Sequence, residues 1–350
     1  MNHCGHLTDV PGLKVGHAHR VGRGWRTGTT VVLLPAGTTA GVDVRGGGPG
    51  TRETDLLHPT ATIDTAHALC FTGGSAYGLA AAGGVMEHLE ARGVGFQVGP
   101  AAHDVVPLVP SAVIFDLGRG GGFTHRPDHG FGLRAARAAR SGAVAMGSVG
   151  AGTGARARGL QGGVGTASAT LPNGVVVSAM AVVNAAGSVI DPDTGLPWEP
   201  GSARLRRPST SDRARLRTHL LDAVPPLNTT IGVVATTAAL TKAECSKFAA
   251  VAHDGLARAV RPVHSLLDGD TVFGVATGRD DLGSFELRSD SEAQPARRTR
   301  VTWLNAVLEA GARCFAAACT DAIVLAAATG ADPAYRDLCP TAFPSTRNSG

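Results

Sequence analysis

The chain has 350 residues, which suits one large domain or two ordinary ones, and 43% of them are apolar, enough for a globular core. Its formal charge of +4 is small for this length and no Lys/Arg block is interleaved with aromatics, so nucleic acid is not expected as a partner. No apolar run of about 18 residues occurs, which excludes a membrane-spanning helix on length, and the first twenty residues lack the apolar stretch of a secretory signal. The 48 glycines and 4% aromatics point to tight turns and a core of Ala, Val and Leu. Six cysteines without a CxxC spacing read as free thiols of a cytoplasmic protein.

Residues 30–35 (TVVLLP) read as a buried strand closed by proline. Residues 46–50 (GGGPG) are glycine-rich, but Pro49 removes an amide donor and no GxxxxGK(S/T) exists, so a phosphate loop is not expected. Residues 73–78 (GGSAYG) approach the nucleophile-elbow pattern GxSxG, yet Tyr77 stands where the second glycine belongs. Ser75 is expected as the N-cap of an Ala-rich helix over 75–92, with Leu79, Val85, Met86 and Leu89 on helical spacing. Residues 112–117 (AVIFDL) give a second buried strand. His17/His19 and His125/His129 have usable metal-ligand spacings but no carboxylate arranged as in HExxH, so no metal is expected.

Arg156 and Arg158 lie in a glycine-rich loop and could bind a carboxylate or stay solvated. The strand over 174–184 ends on Asn184, whose amide suits an oxyanion at a strand end. Residues 201–217 are basic, poor in apolar residues and expected to be mobile. Residues 225–236 (PPLNTTIGVVAT) then place Asn228-Thr229-Thr230 at the entry of a short buried strand. That is ordinary strand-edge chemistry, or a bond the protein cuts in itself.

A clean helix follows, opened by the capping box Thr241-Lys242-Ala243-Glu244, with Phe248, Val251, Ala252, Leu256 and Val260 on one face. Asp268-Gly269-Asp270 precedes a strand over 271–277, as a turn or as a pair of carboxylates able to hold an ammonium group. Residues 279–300 look mobile, an Ala-rich helix runs over about 303–329, and a proline-bearing flexible tail is expected from residue 331. Alternation without a strict βαβ rhythm favours a layered α/β or α+β sandwich. The polar residues would work together if Thr229 were N-terminal. Its hydroxyl would attack a carbonyl while its α-amino group, of reference pKa about 7.7–8.0, served as base.

The stretches GGPGTRETDLL, CFTGGSAYGL, VPLVPSAVIFDLGRG, SVGAGTGARARG, LNTTIGVVAT and HSLLDGDTVFGVATG resemble motifs of a self-processing hydrolase family. That family contains L-aminopeptidase/D-amidase-esterases, β-peptidyl aminopeptidases and nylon-oligomer endohydrolases. The resemblance spans residues 7–330. It implies a four-layer αββα sandwich, like that of N-terminal-nucleophile hydrolases but wired differently. It implies one hydrolase domain over 1–330, cut into pieces 1–228 and 229–350 that stay together in a tetramer of heterodimers. By the resemblance, Thr229 is the nucleophile, Asn228 the residue before the cut, Asn184 the oxyanion amide, and Asp268 and Asp270 the acidic pair at the amine. The substrate is a small peptide or amide, with no metal or cofactor.

Two departures stand out. Phe115 replaces the tyrosine of the nylon-hydrolase branch, and Arg156, Arg158 and Gln161 occupy the loop that carries its lysine. Phe115, Arg156, Arg158 and Tyr77 are the candidate substrate contacts. The rival readings are an idle member kept for binding, and a serine hydrolase using Ser75.

Overall fold

The computed structural model describes residues 5–223, 228–283 and 299–344. Its apolar runs build two five-stranded sheets. In chain order the strands are β1 (Lys14–Gly22), β2 (Trp25–Leu33), β3 (Thr39–Val44), β4 (Thr51–Arg52), β5 (Ala68–Thr72) and β6 (Ser111–Val113). They continue as β7 (Gly163–Thr170), β8 (Val176–Asn184), β9 (Thr229–Ala238) and β10 (Thr271–Asp280). The first sheet runs β1-β2-β5-β6-β4 and the second β7-β8-β9-β10-β3. Within the second sheet β9 pairs antiparallel with β8 and parallel with β10, and β10 pairs antiparallel with β3.

Four layers follow from which side each strand residue faces. Strand β9 is buried along its whole length, so it reads as a continuous run instead of an alternating one. Ile231, Val233 and Ala235 point to the first sheet and join Phe71, Ile114, Met180 and Phe273 in the central core. Phe71 and Phe273 meet edge to face there, with ring centroids 5.8 Å apart. Val234 and Ala238 point the other way, into the core shared with helices α4 (Lys242–Ala259) and α5 (Thr299–Val324). Gly232 lets that helix layer come close, since a Cβ there would stand 2.6 Å from the Phe315 ring. Helices α1 (Ala81–Glu90) and α2 (His129–Arg137) cover the outer face of the first sheet. The arrangement is an αββα sandwich. No helix among the described residues is long and apolar enough to cross a membrane.

Local signals held where one physical cause dominated. Thr241 caps α4 by accepting from Glu244 N, and Glu244 returns the bond to Thr241 N at 2.8 Å. Elsewhere the structure corrects the sequence reading. Ser75 caps nothing: it begins a 3-10 turn (Ser75–Ala80) at φ 51°, and only afterwards does α1 start. The strand expected over 112–117 is the short β6, because the chain leaves the sheet towards Asp116.

Residues 201–217 are not a mobile linker. Most of their second half is helix α3 (Thr210–Asp222), capped by Ser209 and anchored through Leu216 and Leu220. Its apolar content is low because Asp212, itself buried, does part of the holding by accepting from Thr341 N at 3.1 Å. The same bond fixes the segment expected to be a tail. Residues 331–344 pack down, with Tyr335 fully buried and its hydroxyl donating to Gly195 O at 2.7 Å. The stretch 284–298 of the expected mobile segment, and residues 345–350, lie outside the described residues. The five described cysteines are all buried and unpaired.

Candidate active site

Strand ends from the second sheet and a loop of the first meet at one place. The register of β8 and β9 sets Asn184 opposite Thr229, and an isolated parallel bridge joins Asn228 to Asp268 just beyond the β9–β10 pairing. Thr229 shares its side of β9 with Ile231 and Val233, so its side chain faces the first sheet. There Thr229 and Asn228 line a cavity of about 200 Å³ together with Pro49, Ser75, Val113, Phe115 and Leu267. The Thr229 hydroxyl donates to the carbonyl oxygen of Asn228. Gly269 must be small here, because a Cβ would come within 2.9 Å of Thr229 Oγ1 and 3.0 Å of Gly48 O.

The glycine-rich loop 46–50 lies along the acidic turn. Gly48 N donates to Asp268 O at 2.8 Å and Gly46 N to Asp270 O at 3.2 Å. The two carboxylates are both buried and differently occupied. Asp270 Oδ1 accepts from Thr230 N at 2.6 Å, while Oδ2 accepts from His264 Nδ1 at 2.8 Å and His264 N at 3.2 Å. Asp268 Oδ2 accepts from Ser265 N at 2.7 Å, but its buried Oδ1 has no partner among the described residues. Burial pushes the Asp268 carboxyl above the usual carboxylate range, the bonds from Ser265 draw it back, and the charge of Asp270 adds to the rise. Asp268 therefore shapes a turn and also offers an oxygen that lacks a cation.

Asn184 is fully buried. Its Oδ1 accepts from Arg119 Nη1 at 2.5 Å and from Arg156 N at 3.0 Å, and its Nδ2 donates to Phe115 O at 3.4 Å. Two donors on Oδ1 settle which end of the amide is which. Sequence reading missed Arg119. It lies in the stretch VPLVPSAVIFDLGRG, but nothing local to that stretch shows its partner, and only the fold brings it from the loop after β6 to the end of β8. It also donates to Gly154 O at 2.8 Å. Burial draws its pKa down to about 10, which leaves it charged at neutral pH, and burial raises the neighbouring Asp116 to about 6.

Not every candidate arrives at this cavity. Phe115 does, and its carbonyl accepts from Asn184 Nδ2. Arg156 pairs with Asp332 at 3.4 Å and lines a separate cavity with His219 and Asp222. Arg158 Nε donates to Leu220 O at 3.1 Å, beside α3. Gln161 is buried under Arg26, whose Nη2 donates to its Oε1 at 2.6 Å. Tyr77 is 56% exposed, lies under the Arg126 guanidinium 3.6 Å from its ring centre, and does not line the cavity. Ser75 does line it, and its N–H donates to Ile114 O. Among the described residues no group of three or more His, Cys, Asp or Glu is arranged to hold a metal ion.

Comparison with known proteins gives the family and the fold. The model of peptidase family S58 matches residues 5–334. The chain is 49% identical to an uncharacterized aminopeptidase of Mycobacterium tuberculosis (strain ATCC 25618 / H37Rv), covering 97% of this chain and 99% of that one. It is 32% identical to the 6-aminohexanoate-oligomer endohydrolase of Paenarthrobacter ureafaciens, covering 87% and 85%. Among solved structures, a Burkholderia sp. beta-aminopeptidase aligns with TM-score 0.67 at 24% identity, over 95% of this chain and 91% of that one. The L-aminopeptidase D-Ala-esterase/amidase of Ochrobactrum anthropi, described as a variant of the Ntn hydrolase fold, aligns with TM-score 0.68 at 18% identity, over 92% and 86%. At these identities the structural likeness speaks for the fold. With the family match running over almost the whole chain, the protein belongs to peptidase family S58.

Proposed function

We propose that the protein is a self-cleaving amide hydrolase whose nucleophile is Thr229. Family membership supplies the coarse chemistry, hydrolysis of peptide or amide bonds. The observation that carries the finer reading is the Thr229 hydroxyl held on the carbonyl of Asn228 at the wall of a cavity. Attack of Oγ1 on the Asn228 carbonyl carbon forms a C–O bond and breaks the C–N bond, and the hydroxyl proton passes to the departing Thr229 nitrogen. Water then hydrolyses the ester, giving the Asn228 carboxylate and a free Thr229 with both hydroxyl and α-amine. In the mature enzyme the same hydroxyl attacks the substrate amide, the amine carries the proton, and an acyl-enzyme forms and is released by water.

The surrounding residues support these roles. Asn184, held by its Oδ1 and by one N–H of Nδ2 on Phe115 O, has the second N–H of Nδ2 for an oxyanion next to Thr229. The unpartnered Oδ1 of Asp268 suits the ammonium that cleavage creates, and Asp270 ties Thr230 N at the strand entry. The cavity walls of Phe115, Val113 and Leu267 are apolar, which suits the acyl part of a small peptide or linear amide. Ser75 shares the cavity, but among the described residues no histidine lines it to act as the base a serine nucleophile needs.

The test is mass spectrometry of the purified protein under denaturing conditions. Pieces of 228 and 350 − 228 = 122 residues are expected, the smaller beginning Thr-Thr-Ile-Gly on Edman sequencing. A single intact chain, or any other start, rejects the assignment. Thr229→Ala should stay uncut and inactive, whereas Ser75→Ala should still be cut.

A further inference from the structure

We infer that His264 is a positioning residue: it aims Asp270 at the start of β9 and so sets where Thr229 stands. The inference rests on Thr229 as nucleophile and adds a residue to that site. Both of its contacts fall on one oxygen, since the backbone N–H and the ring Nδ1 of His264 each donate to Asp270 Oδ2. The other oxygen of the same carboxylate receives Thr230 N, the amide next to Thr229. A rotation of the Asp270 side chain would therefore withdraw the acceptor from the first peptide of the strand. His264 fixes that rotation from the far side.

Three further observations separate this from an ordinary loop tie. His264 sits at φ 55°, in the left-handed region that few non-glycine residues adopt, and this turn brings its N–H and ring to one oxygen. Its neighbour Ser265 takes the other aspartate, donating from N to Asp268 Oδ2. The dipeptide His264-Ser265 thus holds one carboxylate apiece. Behind the imidazole stands His253, fully buried, with ring centroids 5.0 Å apart at an interplanar angle of 62°. His253 is in turn fastened by Nε2 to Asp43 O at 3.1 Å, at the end of β3. The ring of His264 therefore has a rigid backing, which a residue needed only for a backbone turn does not require.

Two substitutions in the full chain separate the ring's bond from the backbone's conformation. His264→Gly keeps the left-handed turn and the backbone N–H but removes the ring donor. His264→Asn also tolerates that turn, and its Nδ2 lies where Nδ1 stood. The rate of fragment appearance is followed after synthesis of the precursor in a cell-free system, and kcat and KM for a small amide are measured on the matured protein. Loss of one charge-assisted hydrogen bond predicts cleavage slowed about tenfold or more in His264→Gly, with kcat reduced and KM little changed. His264→Asn is expected within about threefold of the unsubstituted chain on both counts. If His264→Gly cleaves and turns over normally, His264 only shapes the loop and the inference fails. It fails equally if Asn does not rescue, because the ring is then needed for more than its donor. An unsubstituted chain that never cleaves rejects Thr229 as nucleophile instead, so the two failures are distinguishable.

Discussion

The carboxylates of Asp268 and Asp270 are two residues apart and both buried, yet donors from Thr230 and His264 occupy both oxygens of Asp270, while Ser265 reaches only one oxygen of Asp268. The difference has a cost that can be measured. Because the folded-state pKa of Asp268 lies above its unfolded value, the folded chain binds the extra proton between the two. That contribution to stability is complete below the unfolded carboxyl range, about pH 3.9, and is lost as pH rises through the raised value. At neutral pH the ionised group is therefore a burden on the uncut chain. Asp268→Asn keeps the bond from Ser265 and leaves an unpaired amide, which costs less than an unpaired charge. It is expected to raise Tm at pH 7 and flatten its fall with pH, while slowing cleavage and turnover by removing the partner proposed for the Thr229 ammonium. Thermal melts across pH, run beside the cleavage assay, check both halves. A lower Tm with an unchanged rate would return Asp268 to the role of a turn former.

Arg119 makes the complementary case, since it holds the Oδ1 of Asn184, the amide proposed for the oxyanion. Arg119→Ala leaves Asn184 Oδ1 with the Arg156 N–H alone, so the amide is free to turn its Nδ2 away. A bond to a charged donor is worth about 1.5–3 kcal/mol, or roughly ten- to a hundredfold in rate. That loss is expected in kcat with KM nearly unchanged, and Arg119→Lys should recover part of it. A shift confined to KM would place Arg119 in binding instead. Thr229, Asn184 and the two aspartates were legible in the sequence because each stands at the end of an apolar run. Arg119 and His264 were not, because what they do depends on side chains brought to them from other elements.

At the scale of elements, legibility followed the number of causes acting on a segment. The strands β8 and β9, and β10 over residues 271–276, are buried on both faces, so burial alone writes their apolar runs. Helix α4 announces itself by its cap, and its first turn also carries tertiary load: Lys242 Nζ donates to the carbonyls of Leu56, Ala61 and Ile63. Thr241→Ala removes the acceptor for Glu244 N and is expected to cost about 1 kcal/mol in a denaturant titration, without change in the cleavage site. No change in stability would mean that the Arg300–Glu244 ion pair at 2.8 Å holds that end by itself. Helix α3 escaped notice because its apolar anchor is only the pair Leu216 and Leu220, and the rest of its attachment is polar, through Asp212 and Thr341, which no hydrophobic period records. Ser75 was misread for a related reason. The local pattern suits an N-cap, but a cap residue needs extended backbone, and Ser75 sits in the left-handed region at φ 51° as the first residue of a 3-10 turn.

At the scale of the molecule, the proposed cut falls inside a sheet and not between domains. Strands β9 and β10 would belong to the smaller piece, and in the sheet they lie between β8 and β3 of the larger one. Pairing on the β8 side continues from Val177 opposite Thr236 to Asn184 opposite Thr229, and on the other side from Thr271 opposite Val44 to Ala276 opposite Thr39. Both faces of these strands are covered too, by the first sheet and by α4 and α5, and those helices, which belong to the smaller piece, themselves pack on β7, β8 and β3 of the larger one. To leave, the small piece would have to break two ladders of backbone hydrogen bonds and open both interlayer cores at once, which is global unfolding. The fragments are therefore expected to elute together in native size exclusion, at the same position as uncut Thr229→Ala, and to separate only in denaturant. Their dissociation midpoint should coincide with the loss of far-UV circular dichroism. Fragments that part under native conditions would show that the sheet does not hold them, and with that the site at the β8–β9 end could not persist after cleavage.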